Sequence, residues 1–235
     1  MVWQGDILRK GLTIFGIIFI IIVVFGEFVF PRLATSTLQA RLENQLASSD
    51  VELALSSAPE CMIALGRIDT IHAVAHDARL GEVRISELAM DGKKIHLDLR
   101  DLLENDHLAL QSAENLELKG IITEENLREL ISRKVEQLEN VEVRLSPQEA
   151  LVTAQMKVFG RVAEAELRGI VLEDSGSLYF RMTSFHVRNV FPGKLDLGNF
   201  FGDIPLVKPE KLPLGARFDE VVMQDGCVTV SARIK

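Results

Sequence analysis

The sequence predicts an α+β protein: an N-terminal transmembrane helix, then one domain in which a curved antiparallel sheet packs on, or wraps around, a long helix. Three observations predict it. Gly11–Phe30 is a run of twenty almost wholly apolar residues. From Val51 onward, short runs of alternating apolar and polar residues are divided by turn residues. A single amphipathic stripe opens at Thr123 and continues for about sixteen residues without Gly or Pro.

As a helix rising about 1.5 Å per residue, the apolar run covers about 30 Å, the thickness of a bilayer's hydrocarbon core. Arg9 and Lys10 precede it and Glu27 and Arg32 mark its far end. The positive flank is N-terminal, which places the N-terminus in the cytoplasm and everything after Pro31 outside. The expected localisation is therefore the cell membrane, single-pass, with an extracytoplasmic domain. The competing reading is a cleaved secretory signal, but the run exceeds the usual h-region of about 7–15 residues. Only Ala34-Thr35-Ser36 offers a weak cleavage site. Residues 1–32 thus form a cytoplasmic stub and membrane anchor, and residues 33–235 an α+β domain.

About 200 residues make one substantial domain. Residues 1–32 hold three basic and two acidic side chains, so the chain's net charge of −8 becomes −9 for the outer part. That charge disfavours nucleic acid as a partner. It also argues against a polybasic grip on anionic headgroups, so any contact with lipid has to be apolar. The two cysteines, Cys61 and Cys227, lie far apart in sequence, which leaves open both a disulfide and two separate thiols.

Leu33–Ser49 reads as a first amphipathic helix, with Leu38, Leu42 and Leu46 spaced four apart. Val51–Leu55 begins the β pattern. Arg67–Ala78 follows as a strand covered on both faces, and Gly81 ends it. Val83–Met90 and Lys94–Leu99 flank Asp91-Gly92, which predicts a tight hairpin. His107–Ile122 is a long strand or pair of strands, bulged near Glu114-Asn115. Thr123 caps the second helix, whose stripe is Leu127, Leu130, Ile131, Val135 and Leu138. Strands at about 141–146, 150–158, 162–172 and 177–188 follow in meander spacing. Val190–Leu214, rich in Phe and Pro, is irregular, with a short helix near Leu195–Phe201. A hairpin around Asp225-Gly226 closes the chain.

No constellation for catalysis is present in the sequence: there is no Gly-x-Ser-x-Gly, no Walker-type loop, no Gly-x-Gly-x-x-Gly after a strand and no Cys-x-x-Cys. His72 and His76 read as ordinary strand histidines, Glu124 and Glu125 as a helix start, and Glu164 and Glu166 as the solvent side of a strand. The reading is a binding protein, not an enzyme, with no cofactor and no metal. A curled sheet with a helix along it leaves an apolar crevice that holds lipid chains without any signature triad. Its expected wall and rim are Leu127, Leu130 and Ile131 on the second helix and Phe191, Phe200, Phe201, Ile204 and Leu206 in the aromatic stretch. Those phenylalanines serve equally well as a plug for the open end of the core.

The order of segments carries a resemblance. Arg41-Leu-Glu-Asn-Gln-Leu46 is followed by Val51-Glu-Leu-Ala-Leu-Ser-Ser-Ala-Pro59, Gly120-Ile-Ile-Thr-Glu-Glu-Asn-Leu127, and Lys211-Leu-Pro-Leu-Gly215 with Asp225-Gly-Cys-Val-Thr-Val-Ser-Ala232. Together they resemble the LmeA family of bacterial phospholipid-binding envelope proteins, over about residues 35–234. The resemblance implies a helix held in a curved antiparallel sheet, similar to half of a tubular lipid-binding fold, and a phospholipid ligand tied to envelope lipid handling. It supplies no residue-by-residue site. A retained span departs from the cleaved or lipidated signals of well-known members. The expected function is membrane-anchored, extracytoplasmic phospholipid binding; the alternatives are a protein-interaction module without lipid and an unrecognised hydrolase or transferase.

Overall fold

The structure, a computed structural model, describes residues 30–98, 109–158, 161–188 and 203–234. The chain enters through helix α1 (Phe30–Leu46), whose Leu38, Leu42 and Leu46 are all buried. Strand β1 (Asp50–Ser56) and a short 3-10 helix (Glu60–Leu65) follow. The long strands β2 (Arg67–Leu80) and β3 (Val83–Asp98) are joined by a turn at Gly81, whose φ of +61° favours glycine. After β4 (Ala109–Ser112) and β5 (Asn115–Thr123) comes helix α2 (Glu124–Lys134). The meander β6 (Leu138–Leu145), β7 (Ala150–Val158), β8 (Arg161–Asp174) and β9 (Ser177–Arg188) then leads to β10 (Asp203–Val207) and the closing hairpin β11 (Arg217–Gln224) and β12 (Cys227–Arg233).

Two antiparallel sheets result. The larger runs β1-β2-β3-β5-β12-β11, with β4 also on β3, and the smaller β10-β9-β8-β7-β6. Strands β2 and β3 show how the larger sheet curls. Along β2 the buried positions step from Ile68 to Ile71 and from Ala75 to Ala78; along β3 they step from Ile85 to Leu88 and from Gly92 to Ile95. Each three-residue step on one strand lies opposite one on the other, so the pairing keeps its register. Asp77 and Lys94, with φ of +51° and +48°, lie at these levels. An extra residue adds local twist, and the paired steps let the strands coil while one face stays apolar.

The larger sheet is apolar inside and polar outside, with Glu52, His72, Glu87, Asp91 and Lys119 all exposed. The smaller sheet alternates likewise. Strand β11 joins the two: Phe218 N–H donates to the Gly176 carbonyl at 3.4 Å and Gly226 N–H to the Leu145 carbonyl at 3.3 Å, so it lies across the end of the smaller sheet. The inner faces of both sheets and both helices share one continuous core.

Several expectations are corrected. The described residues are mostly β, a sheet curled into a half-barrel with two short helices, and not an α+β domain built on a long helix. Helix α2 spans 11 residues. Val135 leaves the helix at φ −120° and ψ 81°, and Leu138 is already in β6, opposite Met156. The alternating run Val141, Val143, Leu145 draws Leu138 into the ladder, and Arg133 and Lys134 suit a helix C-terminus. Asp91-Gly92 makes no hairpin but lies within β3. A Cβ on Gly92 would come within 2.6 Å of Leu116 Cδ1, 2.7 Å of Ile95 Cδ1 and 2.8 Å of Ile71 Cγ2, so glycine is there for close packing. Strand β2 is covered on one face, with His72 exposed on the other.

The single-pass localisation is corrected too: among the described residues no helix is long and apolar enough to cross a membrane. Apart from Phe30, the run Gly11–Phe30 lies outside the described residues. Helix α1 itself carries Thr35, Ser36, Thr37, Gln39, Arg41 and Glu43, and turns its leucine stripe onto β1, β2 and the 3-10 helix.

Candidate functional site

The interior of the curled sheet is lined differently at its two ends. At the end formed by the β2–β3 turn, helix α2 closes it. Thr123 caps the helix, its Oγ1 accepting from Asn126 N–H, while Asn126 Oδ1 accepts from the backbone N–H of Thr123 at 2.9 Å and from Ser86 Oγ at 2.8 Å. Glu124 Oε1 accepts from Leu145 N–H at 2.8 Å, which fixes the helix to β6. Arg133 donates to the Glu82 carbonyl at 2.6 Å, and Lys134 lies 2.5 Å from the Glu82 carboxylate. That lysine holds the Glu82 carboxyl below its ordinary range. Tied at both ends, α2 presses Leu127, Leu130 and Ile131 inward, the first of them 0 % exposed.

At the opposite end the cover is α1 and the 3-10 helix. Gln39 Nε2 donates to the Val51 carbonyl at 2.8 Å and Ser48 Oγ to the His76 carbonyl at 2.5 Å, which orients α1 with its N-terminus toward the 3-10 helix. Gly66, in the left-handed region at φ +75°, ends that 3-10 helix, and its carbonyl accepts from Leu97 N–H at 2.8 Å. Along β1 the inward row opens progressively: Val51 is buried, Leu53 and Leu55 only half-buried. Met62 and Leu110 are half-buried at the same end, and Leu65 is 68 % exposed.

These are the apolar side chains that sequence reasoning missed. Leu53 and Leu55 read as strand core like their neighbours, and nothing in the pattern says where cover ends. Of the expected residues, Leu127, Leu130, Ile131 and Leu206 all belong to the one core and are buried, while Ile204 on β10 is half-buried against it. Phe191, Phe200 and Phe201 lie outside the described residues.

A depression of about 260 Å³ lies on the outer face of the smaller sheet, between Asn140, Glu142, Gln155, Glu164, Glu166 and Arg188. Arg188 and Arg168 both pair with Glu166, and Arg168 holds that carboxyl below its ordinary range. Its lining suits polar ligands and not acyl chains. Cys61 and Cys227 are free thiols at opposite ends: Cys227 pairs with Thr123 at the start of α2, while Cys61 is in the 3-10 helix. Among the described residues no group of His, Cys, Asp and Glu is arranged to hold a metal ion.

Among the described residues, a curled sheet that is polar outside and apolar inside, with half-buried Leu53 and Leu55 at one end, can shield hydrocarbon from water. Comparison with known proteins agrees. A family model described as LmeA-like phospholipid-binding matches residues 25–233, a family characterised by binding and not by catalysis. No curated protein and no solved structure gives a match. The matched residues span nearly the whole chain, and the chain belongs to the LmeA-like phospholipid-binding family.

Proposed function

We propose that residues 33–235 form the lipid-binding unit and that it takes a phospholipid by its acyl chains, admitted at the end bounded by β1 and the 3-10 helix, in the handling of envelope lipid. The observation that carries this reading is the inward row of β1, which passes from buried Val51 to half-buried Leu53 and Leu55 beside exposed Leu65. Leu127, Leu130, Ile131 and Leu206 are then the inner wall, and Ile204 flanks it. Each methylene removed from water contributes about 0.8 kcal/mol, so eight to ten give roughly 6–8 kcal/mol before ordering costs. Before those costs the upper figure corresponds to about micromolar binding, a ceiling reached without a dedicated headgroup pocket.

Organic extraction of the purified 33–235 fragment, followed by mass spectrometry, tests the reading. Phospholipid should be recovered at about one molecule per chain. A folded fragment that yields none, and takes up no fluorescent phospholipid, would end it.

A further inference from the structure

The end of the molecule that opens also carries polar groups that the core does not explain. Among the described residues Leu65 is the most exposed large hydrophobic side chain, and Gly66 separates it from Arg67. Arg67 opens β2 directly opposite His96 of β3, and His96 is in turn opposite Ser112 of β4. Residues paired in this way present their side chains on the same face of a sheet. The His96 ring Nδ1 is 3.1 Å from Ser112 Oγ. Arg67 is exposed and makes no ion pair or hydrogen bond among the described residues. A guanidinium, an imidazole and a hydroxyl therefore lie in one row across three strands, two residues from a protruding leucine.

The nearby carboxylates do not claim that arginine. Asp69 accepts from Ala58 N–H at 2.8 Å and Asp98 from Gln111 at 3.1 Å, while Glu60 begins the 3-10 helix. Lys94 pairs with Glu114 at 2.7 Å. The neighbourhood is thus of mixed sign, which rules against a grip that depends on net negative charge in the membrane. What the row does complement is a phosphate: Arg and His donate to its oxygens, Arg in a forked geometry suited to them. A leucine beside a phosphate-binding arginine matches the depth profile of a phospholipid leaflet, hydrocarbon below and phosphate above.

We propose that this end, bearing Leu65, Arg67, His96 and Ser112, is the surface with which the protein docks on a phospholipid bilayer. Leu65 enters the acyl region and the Arg67 row meets the phosphates. The proposal rests on the phospholipid reading above and adds the orientation: the open end of the interior faces the leaflet, so a lipid passes from bilayer to protein without crossing water. The apolar patch is too small for lasting attachment, and the contact is transient.

The two native cysteines supply the test, because they mark opposite ends of the molecule. The full chain is labelled with an environment-sensitive fluorophore at Cys61 in a Cys227→Ser background, and at Cys227 in a Cys61→Ser background, then mixed with phosphatidylcholine vesicles. Emission should shift to the blue and be quenched by spin-labelled lipid for the Cys61 label only. Leu65→Glu or Arg67→Glu should reduce that response at least tenfold, and Val162→Glu, which charges another exposed apolar position, should leave it unchanged. An equal response from both labels, a response confined to Cys227, or no response from either overturns the docking surface. If the protein still yields bound phospholipid on extraction in that case, lipid binding stands and only the orientation fails; if it yields none, the binding reading fails as well.

Discussion

Truncating the inner wall and the open row should separate stability from lipid binding. Leu127 is completely buried between α2 and the sheet, so Leu127→Ala removes a core side chain from a site held by the Asn126 cap and the Glu124–Leu145 bond. Rigid surroundings collapse little, and the expected cost is about 2–5 kcal/mol. For a domain of this size that is a fall in melting temperature of roughly 4–20 °C. Leu53 and Leu55 are half-buried, so each contributes about half the 1.5–3 kcal/mol of a fully buried leucine, or about 1 kcal/mol. Replacing both with Ser should cost about 2 kcal/mol in stability while removing apolar contact where the lipid is admitted. Thermal melts followed by circular dichroism, paired with uptake of a fluorescent phospholipid, read both quantities. Leu127→Ala should lower the melting point further yet retain uptake at a temperature where it is folded; the double variant should lose uptake by tenfold or more. The reverse pattern, with uptake lost only on truncating the wall, would refute the assignment of wall and opening.

Two further outcomes follow from packing and charge. A Cβ on Gly169 would come within 2.4 Å of Phe180 Cζ and 2.6 Å of the Arg181 carbonyl, and Phe180 is itself buried, so Gly169→Ala should destabilise by about 1–3 kcal/mol, measured by urea unfolding. Arg181 ties β9 to β10 through Asp203, with contacts of 2.7 and 2.9 Å, and its hydrogen bond holds the Asp203 carboxyl below the usual range. A depressed folded-state pKa gives stability that is present above the unfolded value near 3.8 and is lost as pH falls through the folded one. The melting temperatures of wild type and Asp203→Asn should therefore differ at about pH 6 and converge on acidification to below about pH 3.

Much of this architecture is legible in the sequence because local chemistry and tertiary position agree. The α1 stripe Leu38, Leu42, Leu46 packs as its spacing predicts, the turns at Gly81, Ser175-Gly176 and Asp225-Gly226 fall where turn residues stand, and the break between β4 and β5 lies at Ala113-Glu114. Legibility fails where one pattern serves two structures. Leu138 fits both the helical stripe of α2 and the alternation of β6, and pairing with Met156 decides for the strand. Gly92 follows an aspartate as a hairpin glycine does, yet it is the absent side chain, not the backbone freedom, that the packing of Ile71, Ile95 and Leu116 requires. The site suffered most. Leu127, Leu130, Ile131 and Leu206 are apolar and well spaced, which identifies core; whether a core residue can also meet a ligand depends on cover from distant elements. For Leu53, Leu55 and Leu65 that cover comes from elements distant in sequence, α1 and the 3-10 helix among the described ones, and no local pattern encodes it.

Entry of acyl chains at the β1 end is tested most directly by photocrosslinking. A phosphatidylcholine with a diazirine in one acyl chain is bound, irradiated, and its adducts located by peptide mass spectrometry. Adducts are expected on the peptides holding Leu53, Leu55 and Leu65 and, deeper inside, on the α2 peptide holding Leu127 and Ile131. Adducts confined to the polar outer face of β7 and β8, around Thr153 and Glu164, would contradict entry at that end.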